Sequence, residues 1–160
     1  MSREEAVRRI EEASDEKFIE MDLVGLELEE VPQEIAMCTH LVEIDLSLNH
    51  ITYLPDAIWS LSNLTRLDLG VNQITSIPEA VGQLSNLEWL DLSENEIASI
   101  PQALGQLSNL IELHLNNNQI TSIPEALGQL SYLKELWVND NQITSIPEAL
   151  RQLPQLKIYE

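Results

Sequence analysis

One line of sequence, LxxLxLxxNxIxxIPxxLxxLxx, is rewritten along this chain at a step of 23 residues. Asn49, Asn72, Asn95, Asn118 and Asn141 are spaced by that step, and so are Leu41, Leu64, Leu87, Leu110 and Leu133. A period in the range of about 20–50 residues predicts a solenoid, because each unit cannot bury its apolar face alone and stacks on its neighbours. The working part of such a molecule is an extended surface rather than a pocket.

Each position of the frame has a physical reason. In the LxxLxL segment Leu64, Leu67 and Leu69 point one way while Arg66 and Asp68 point the other, which reads as a short strand with one buried face. The alternation breaks at Asn72, where a side-chain amide can bond backbone groups that have no ladder partner. Repeated once per coil, the Asn predicts a ladder. Leu26 stands at this position in the first coil, where no earlier coil exists to bond. In the return half, Pro78, Pro101, Pro124 and Pro147 suit the first position of a helix, followed by Glu79, Glu125 and Glu148 in the favourable first turn. Gly82, Gly105 and Gly128 limit these helices to a turn or two. A strand on one side and a short helical turn on the other predict an α/β solenoid. It is a curved right-handed superhelix with a parallel β-sheet on the concave face and helical turns on the convex face.

Residues 1–17 lie outside the repeat. Ser2 and Glu5 fit a capping box, and Ala6, Val7, Ile10 and Ala13 form one apolar face at helical spacing. A helix there would cover the open end of the first coil, as solenoids require. Residues 18–155 hold six repeats, the first beginning at Phe18, and 156–160 is the truncated start of a seventh at Leu156. Cys38 falls on the frame position of Leu61 and Leu84 and reads as a buried small hydrophobe. His40 and His50 read as solvated residues, and Trp59, where later coils have Gly, as packing against a neighbouring coil.

The charge balance restricts the partner. There are 27 acidic against 8 basic residues, a net charge of −19, and between Lys17 and Lys134 the one Lys or Arg is Arg66. Nucleic acid needs a basic stripe, and an anionic membrane repels such a chain. No apolar run approaches the roughly 18 residues of a membrane span. The single cysteine argues against a disulfide framework, and the charged start MSREEAVRRI is unlike a signal peptide, so the expected location is cytoplasmic.

The 23-residue form resembles the intracellular, Ras-group class of leucine-rich repeats over nearly the whole chain after Lys17. SIPEALGQLSNL is similar to the plant-type coil, but the Gly before Ile-Pro that marks that class is absent. The leading SREEAVRRIEEA resembles bacterial, especially cyanobacterial, repeat proteins, some of which carry a Roco-type GTPase. The resemblance implies a curved solenoid binding protein partners on its concave side. No GxxxxGK[ST] loop is present, so GTPase activity would belong to another portion.

With the frame set, the outward residues of the strands can be read directly. One column is Glu20, Glu43, Arg66, Trp89, Glu112 and Glu135; the next is Asp22, Asp45, Asp68, Asp91, His114 and Trp137. The Asp row has a plain reading as solvated frame residues and a sharper one as a charge selector. Trp89, His114 and Trp137 fall within roughly 12 Å at ordinary strand spacing. Exposed Trp has little structural justification where Leu already fills the core, and Trp is enriched in binding hot spots. Six strands give on the order of 500–600 Å² of flat area, near the lower edge of a half-interface of ~800 Å².

Two other readings are weaker. Ser93, Asp91 and His114 could imitate a hydrolase triad, but an open strand face has neither oxyanion hole nor water exclusion. One His among carboxylates is a poor metal site, and Asp91 is expected simply to pair with His114. The expected function is therefore non-catalytic binding of a protein or peptide of basic character, without cofactor, metal or small-molecule substrate. Trp89 and Trp137 would be the anchors, with Asp45, Asp68 and Asp91 setting charge preference beside His114, Glu43, Arg66, Glu112 and Glu135. The alternative is the sensor portion of a larger Roco-like GTPase.

Overall fold

In the computed structural model, which describes residues 2–160, helix α1 (Ser2–Glu16) is followed by seven three-residue strands. These are β1 (Glu20–Asp22), β2 (Glu43–Asp45), β3 (Arg66–Asp68), β4 (Trp89–Asp91), β5 (Glu112–His114), β6 (Glu135–Trp137) and β7 (Lys157–Tyr159). They form one parallel sheet in chain order, so every coil lies beside its predecessor. The sheet is open and curled, and it lines the concave side of an α/β solenoid. The central residue of β1 to β6 is buried and its two neighbours face outward, as strand alternation demands. Among the described residues, no helix is long and apolar enough to cross a membrane.

The return halves are short. Gln33–Met37, Glu79–Gln83, Gln102–Gln106 and Glu125–Gln129 are 3-10 turns, while α2 (Asp56–Trp59) and α3 (Glu148–Arg151) are four-residue α-helices. The prolines sit one residue earlier than the sequence suggested, in the capping position with extended ψ. What each turn uses is the proline carbonyl: Pro78, Pro101 and Pro124 accept from Val81, Leu104 and Leu127 at 3.1–3.2 Å.

The Asn ladder forms as the spacing predicted. Asn72 donates through Nδ2 to Leu46 O, Leu69 O and Gly70 O, and its Oδ1 accepts from Ile51 N at 3.0 Å. Asn49, Asn95, Asn118 and Asn141 repeat the pattern. Each Asn reaches back to the preceding coil, which is why Leu26 can be apolar. The residue before each Asn is left-handed: Leu48, Val71, Glu94, Asn117 and Asp140 have φ of 53–57°, and Gly25, in register with them, 64°.

Ala6, Ile10 and Ala13 of α1 are buried against the first coil. Ser2 lies inside the first turn, so the capping position falls outside the described residues. Cys38, fully buried, donates its Sγ–H to Ile10 O at 3.4 Å, and burial pushes its thiol pKa up. His40 departs from the solvated reading: its Nε2 lies 3.1 Å from Ala13 O and helps hold α1 in place. His50 is exposed, and Trp59 is buried. Phe18 is 47% exposed, whereas its frame partner Leu41 is fully buried. The reason is local: Lys17 turns left-handed and Phe18 N bonds Ala13 O, tying Phe18 to the end of α1.

The last coil departs from the 23-residue frame. Glu135 pairs with Lys157, Leu136 with Ile158 and Trp137 with Tyr159, a step of 22. Ordinary coils enter the strand through two N–H groups sharing one carbonyl, as Lys134 and Glu135 share Ile111 O. Such a bulge uses one extra residue. At β7, Lys157 alone bonds Lys134 O, and the residue is saved. Counting on from Leu156 by 23 would turn Tyr159 inward; the shorter step turns it out.

Candidate functional site

The column through the last residue of each strand reads Asp22, Asp45, Asp68, Asp91, His114, Trp137, Tyr159. In the first four coils the Asp has a backbone task. Its Oδ1 accepts the N–H two residues on: Val24, Ser47, Gly70 and Ser93, at 2.7–3.0 Å. This is an Asx turn that closes the strand end. Asp68 is half-buried, and burial lifts its pKa to about 6. The Gly70 N–H opposes that lift, and the charges of Asp91 and Asp45 add to it. Gly70 has its own reason here, since a Cβ would lie 3.3 Å from Asp68 Oδ1 and 3.4 Å from Asp91 Oδ1.

In the last three coils the Asp is gone and rings take its place. The Arg66 guanidinium lies 3.4 Å from the centroid of the Trp89 ring, a close cation–π contact. Trp89 meets His114 at 5.4 Å, tilted by 46°; His114 stacks on Trp137 at 5.7 Å and 14°; Trp137 stacks on Tyr159 at 3.8 Å and 11°. The result is a ladder from β3 to β7. Its rungs are fixed by the carboxylates beside them. Trp89 Nε1 donates to Glu112 Oε2 at 3.0 Å, and Trp137 Nε1 to Glu135 Oε2 at 3.3 Å. His114 Nε2 approaches the same Glu112 oxygen at 3.4 Å. Each ring packs against its neighbours along the sheet and remains partly exposed.

The predicted residues thus fall into two groups, with Glu43 in neither. Arg66, Trp89, Glu112, His114, Glu135 and Trp137 are joined in the ladder, while Asp45, Asp68 and Asp91 form the adjoining acid row. Glu43 adjoins both, beside Arg66 in register, and lines with Glu20, Asp22, Asp45 and Arg66 a hollow of about 330 Å³. One expectation is corrected: His114 pairs with Glu112, and Asp91 turns its Oδ1 to Ser93 N instead. Tyr159 was missed because the 23-residue count hid it. The run Lys157-Ile158-Tyr159, with its one aliphatic residue in the middle, carries the signal for the true register.

Comparison with known proteins follows the same lines. The family profile described as "Leucine-rich repeat region" matches residues 67–160, and a second, "Leucine rich repeat", matches 20–74. A leucine-rich-repeat protein of Leptospira interrogans is 35% identical, superposing with a TM-score of 0.87 over 96% of this chain and 38% of its own. An internalin of Listeria monocytogenes is 33% identical with a TM-score of 0.72, over 82% of this chain and 38% of its own. The plant peptide hormone receptor RGFR1, solved in complex with RGF2, is 34% identical with a TM-score of 0.73, over 86% and 22%. The chain therefore spans well under two thirds of these proteins. No curated protein matches it.

Proposed function

The chain belongs to the leucine-rich-repeat family, and from that premise we propose that its concave face binds a protein or peptide segment of basic character without catalysis. The observation that carries this reading is the replacement of Asp in the last three coils. Asp22, Asp45, Asp68 and Asp91 each close their own strand end, so these carboxylates have a reason internal to the fold. His114, Trp137 and Tyr159 give up that bond and place rings on a surface the core does not need. Solvent-facing aromatic area held rigidly in advance favours association, because little side-chain freedom remains to be lost. The hydrogen bonds of both indoles to Glu112 and Glu135 supply that rigidity.

The acid row adds charge preference. With a net charge of −19, a cationic segment is drawn to this face from a distance and an anionic one is turned away. A buried lone cysteine suits a reducing compartment, and we place the protein in the cytoplasm. The receptor neighbour solved with its peptide hormone lends support by analogy of fold.

The test uses peptides enriched from a random 12-residue display library on the wild-type chain. Calorimetry with Trp89→Ala plus Trp137→Ala is expected to show at least a ten-fold weaker Kd, about 1.4 kcal/mol. An unchanged Kd removes the ladder from the binding surface.

A further inference from the structure

The left-handed position before each ladder Asn is set by the fold. Its backbone N–H donates to the next coil in register: Gly25 to Ser47 O, Leu48 to Gly70 O, Val71 to Ser93 O, Glu94 to Asn116 O and Asn117 to Asn139 O. Gly, Asn and Asp tolerate such a backbone, and Gly25, Asn117 and Asp140 are in keeping with that. Leu48 and Val71 are not. A β-branched side chain at positive φ is an outlier, and here Val71 has φ 56° beside Leu48 at 57°.

Both side chains are also left in water. Leu48 is 56% exposed and Val71 38%, and neither joins the apolar core. The two positions lie side by side on neighbouring coils. Each therefore combines a left-handed backbone, held by its N–H bond to the next coil, with an aliphatic group partly in water. The left-handed backbone recurs from coil to coil, at Glu94 as well, and belongs to the fold; what is particular to Leu48 and Val71 is a pair of exposed aliphatic side chains on adjacent coils.

Their surroundings define what would cover them. Leu48 comes three residues after Asp45, and Val71 three after Asp68, so their Cα atoms lie within about 11 Å of each other along each coil. The Asx turns hold Oδ1 of both Asp residues, and the Oδ2 of Asp68 lies 3.8 Å from Arg66. Arg66 is itself engaged over the Trp89 ring. A second copy of the chain is a poor occupant, since it brings its own −19 charge to an acidic rim.

We infer that Leu48 and Val71, with Asp45 and Asp68, form an aliphatic and acidic rim that receives a protein segment carrying a cationic side chain beside an aliphatic one. This deepens the reading above and rests on it, because it places a second contact on the same partner, away from the aromatic ladder.

The experiment exploits the backbone. Asn accepts the left-handed conformation, so Leu48→Asn plus Val71→Asn removes the aliphatic pair while relieving strain. The probes are the library-enriched peptides described above, titrated by calorimetry into wild type, this variant and Trp89→Ala plus Trp137→Ala. The enriched peptides are expected to pair Lys or Arg with Leu, Ile, Val or Met. The Asn variant is expected to bind them at least ten-fold more weakly while its unfolding midpoint rises. An unchanged Kd overturns the inference whatever the tryptophan variant does. A fall in the midpoint overturns it as well, since the pair would then be serving the fold. If the Asn variant weakens binding and the tryptophan variant does not, the rim stands and the ladder reading fails. Absence of enrichment on wild type overturns both.

Discussion

Tyr159 lies flat on Trp137, with ring centroids 3.8 Å apart and planes 11° from parallel. The contact joins the last strand to the ladder and shields one face of the indole. Tyr159→Ala is expected to cost about 0.5–1.5 kcal/mol beyond lost burial, the range for a stacked pair, and Tyr159→Phe much less. Urea unfolding measures the cost. The near-ultraviolet circular dichroism of Trp137 reports the stack directly, and a spectrum unchanged by Tyr159→Ala would contradict the geometry.

The Asn ladder makes a prediction about position. Asn72 is buried and makes four hydrogen bonds to backbone groups of its own coil and the one before. Asn72→Ala is expected to lose about 3 kcal/mol, since several buried groups are left without partners at roughly 1 kcal/mol or more each. Asn141 makes the same four bonds but is only half-buried. Water can reach its partners, so Asn141→Ala is expected to lose distinctly less. Equal losses by chemical denaturation would show that the bonds, and not their burial, set the effect.

The periodicity made the strands, the buried Leu columns and the Asn ladder legible, because each follows from which side chains must leave water. It also placed Trp89, His114 and Trp137 on the outward face. Three features were harder. The bulge is a backbone event, so its absence at Lys157 broke the 23-residue count and Tyr159 was lost with it, although the alternation Lys157-Ile158-Tyr159 marks the register. The choice of Glu112 over Asp91 by His114 depends on the Asx turn that already holds Asp91. The strain at Leu48 and Val71 is a matter of φ, which a pattern of apolar and polar letters does not encode. A Gly, Asn and Asp recurring at one frame position is the available hint.

Asp68 predicts a pH dependence. Its folded pKa, raised to about 6 chiefly by burial, lies above the ordinary value of 3.8. The folded state therefore holds this proton more tightly than the unfolded chain. Stability falls as pH rises through that window, and the penalty is complete above the folded pKa. Asp68→Asn, which keeps an oxygen for the Gly70 N–H, is expected to raise the melting temperature at pH 7.5 and to change it little near pH 4. A difference between variant and wild type that stays constant from pH 4 to pH 7.5 would contradict the raised pKa.

Close approach of coils on the convex side makes the last prediction. A Cβ at Gly105 would run into the carbonyl oxygen of Ala126 in the next coil, with the carbonyl carbon at 2.8 Å. Backbone cannot move aside without shifting the whole turn Glu125–Gln129. At Gly82 the nearest atom is Gln106 Oε1 at 2.5 Å, the end of a flexible side chain, and the Ala103 carbonyl oxygen is at 3.0 Å. Gly105→Ala is thus expected to destabilise by about 1–3 kcal/mol, the usual range for overpacking, and Gly82→Ala by less. The position does not exclude bulk everywhere, since Trp59 occupies it in the second coil, where the return segment is the α-helix α2. Equilibrium unfolding of the two alanine variants decides the point: if Gly82→Ala costs as much as Gly105→Ala, the backbone contact with Ala126 does not set the spacing between these coils.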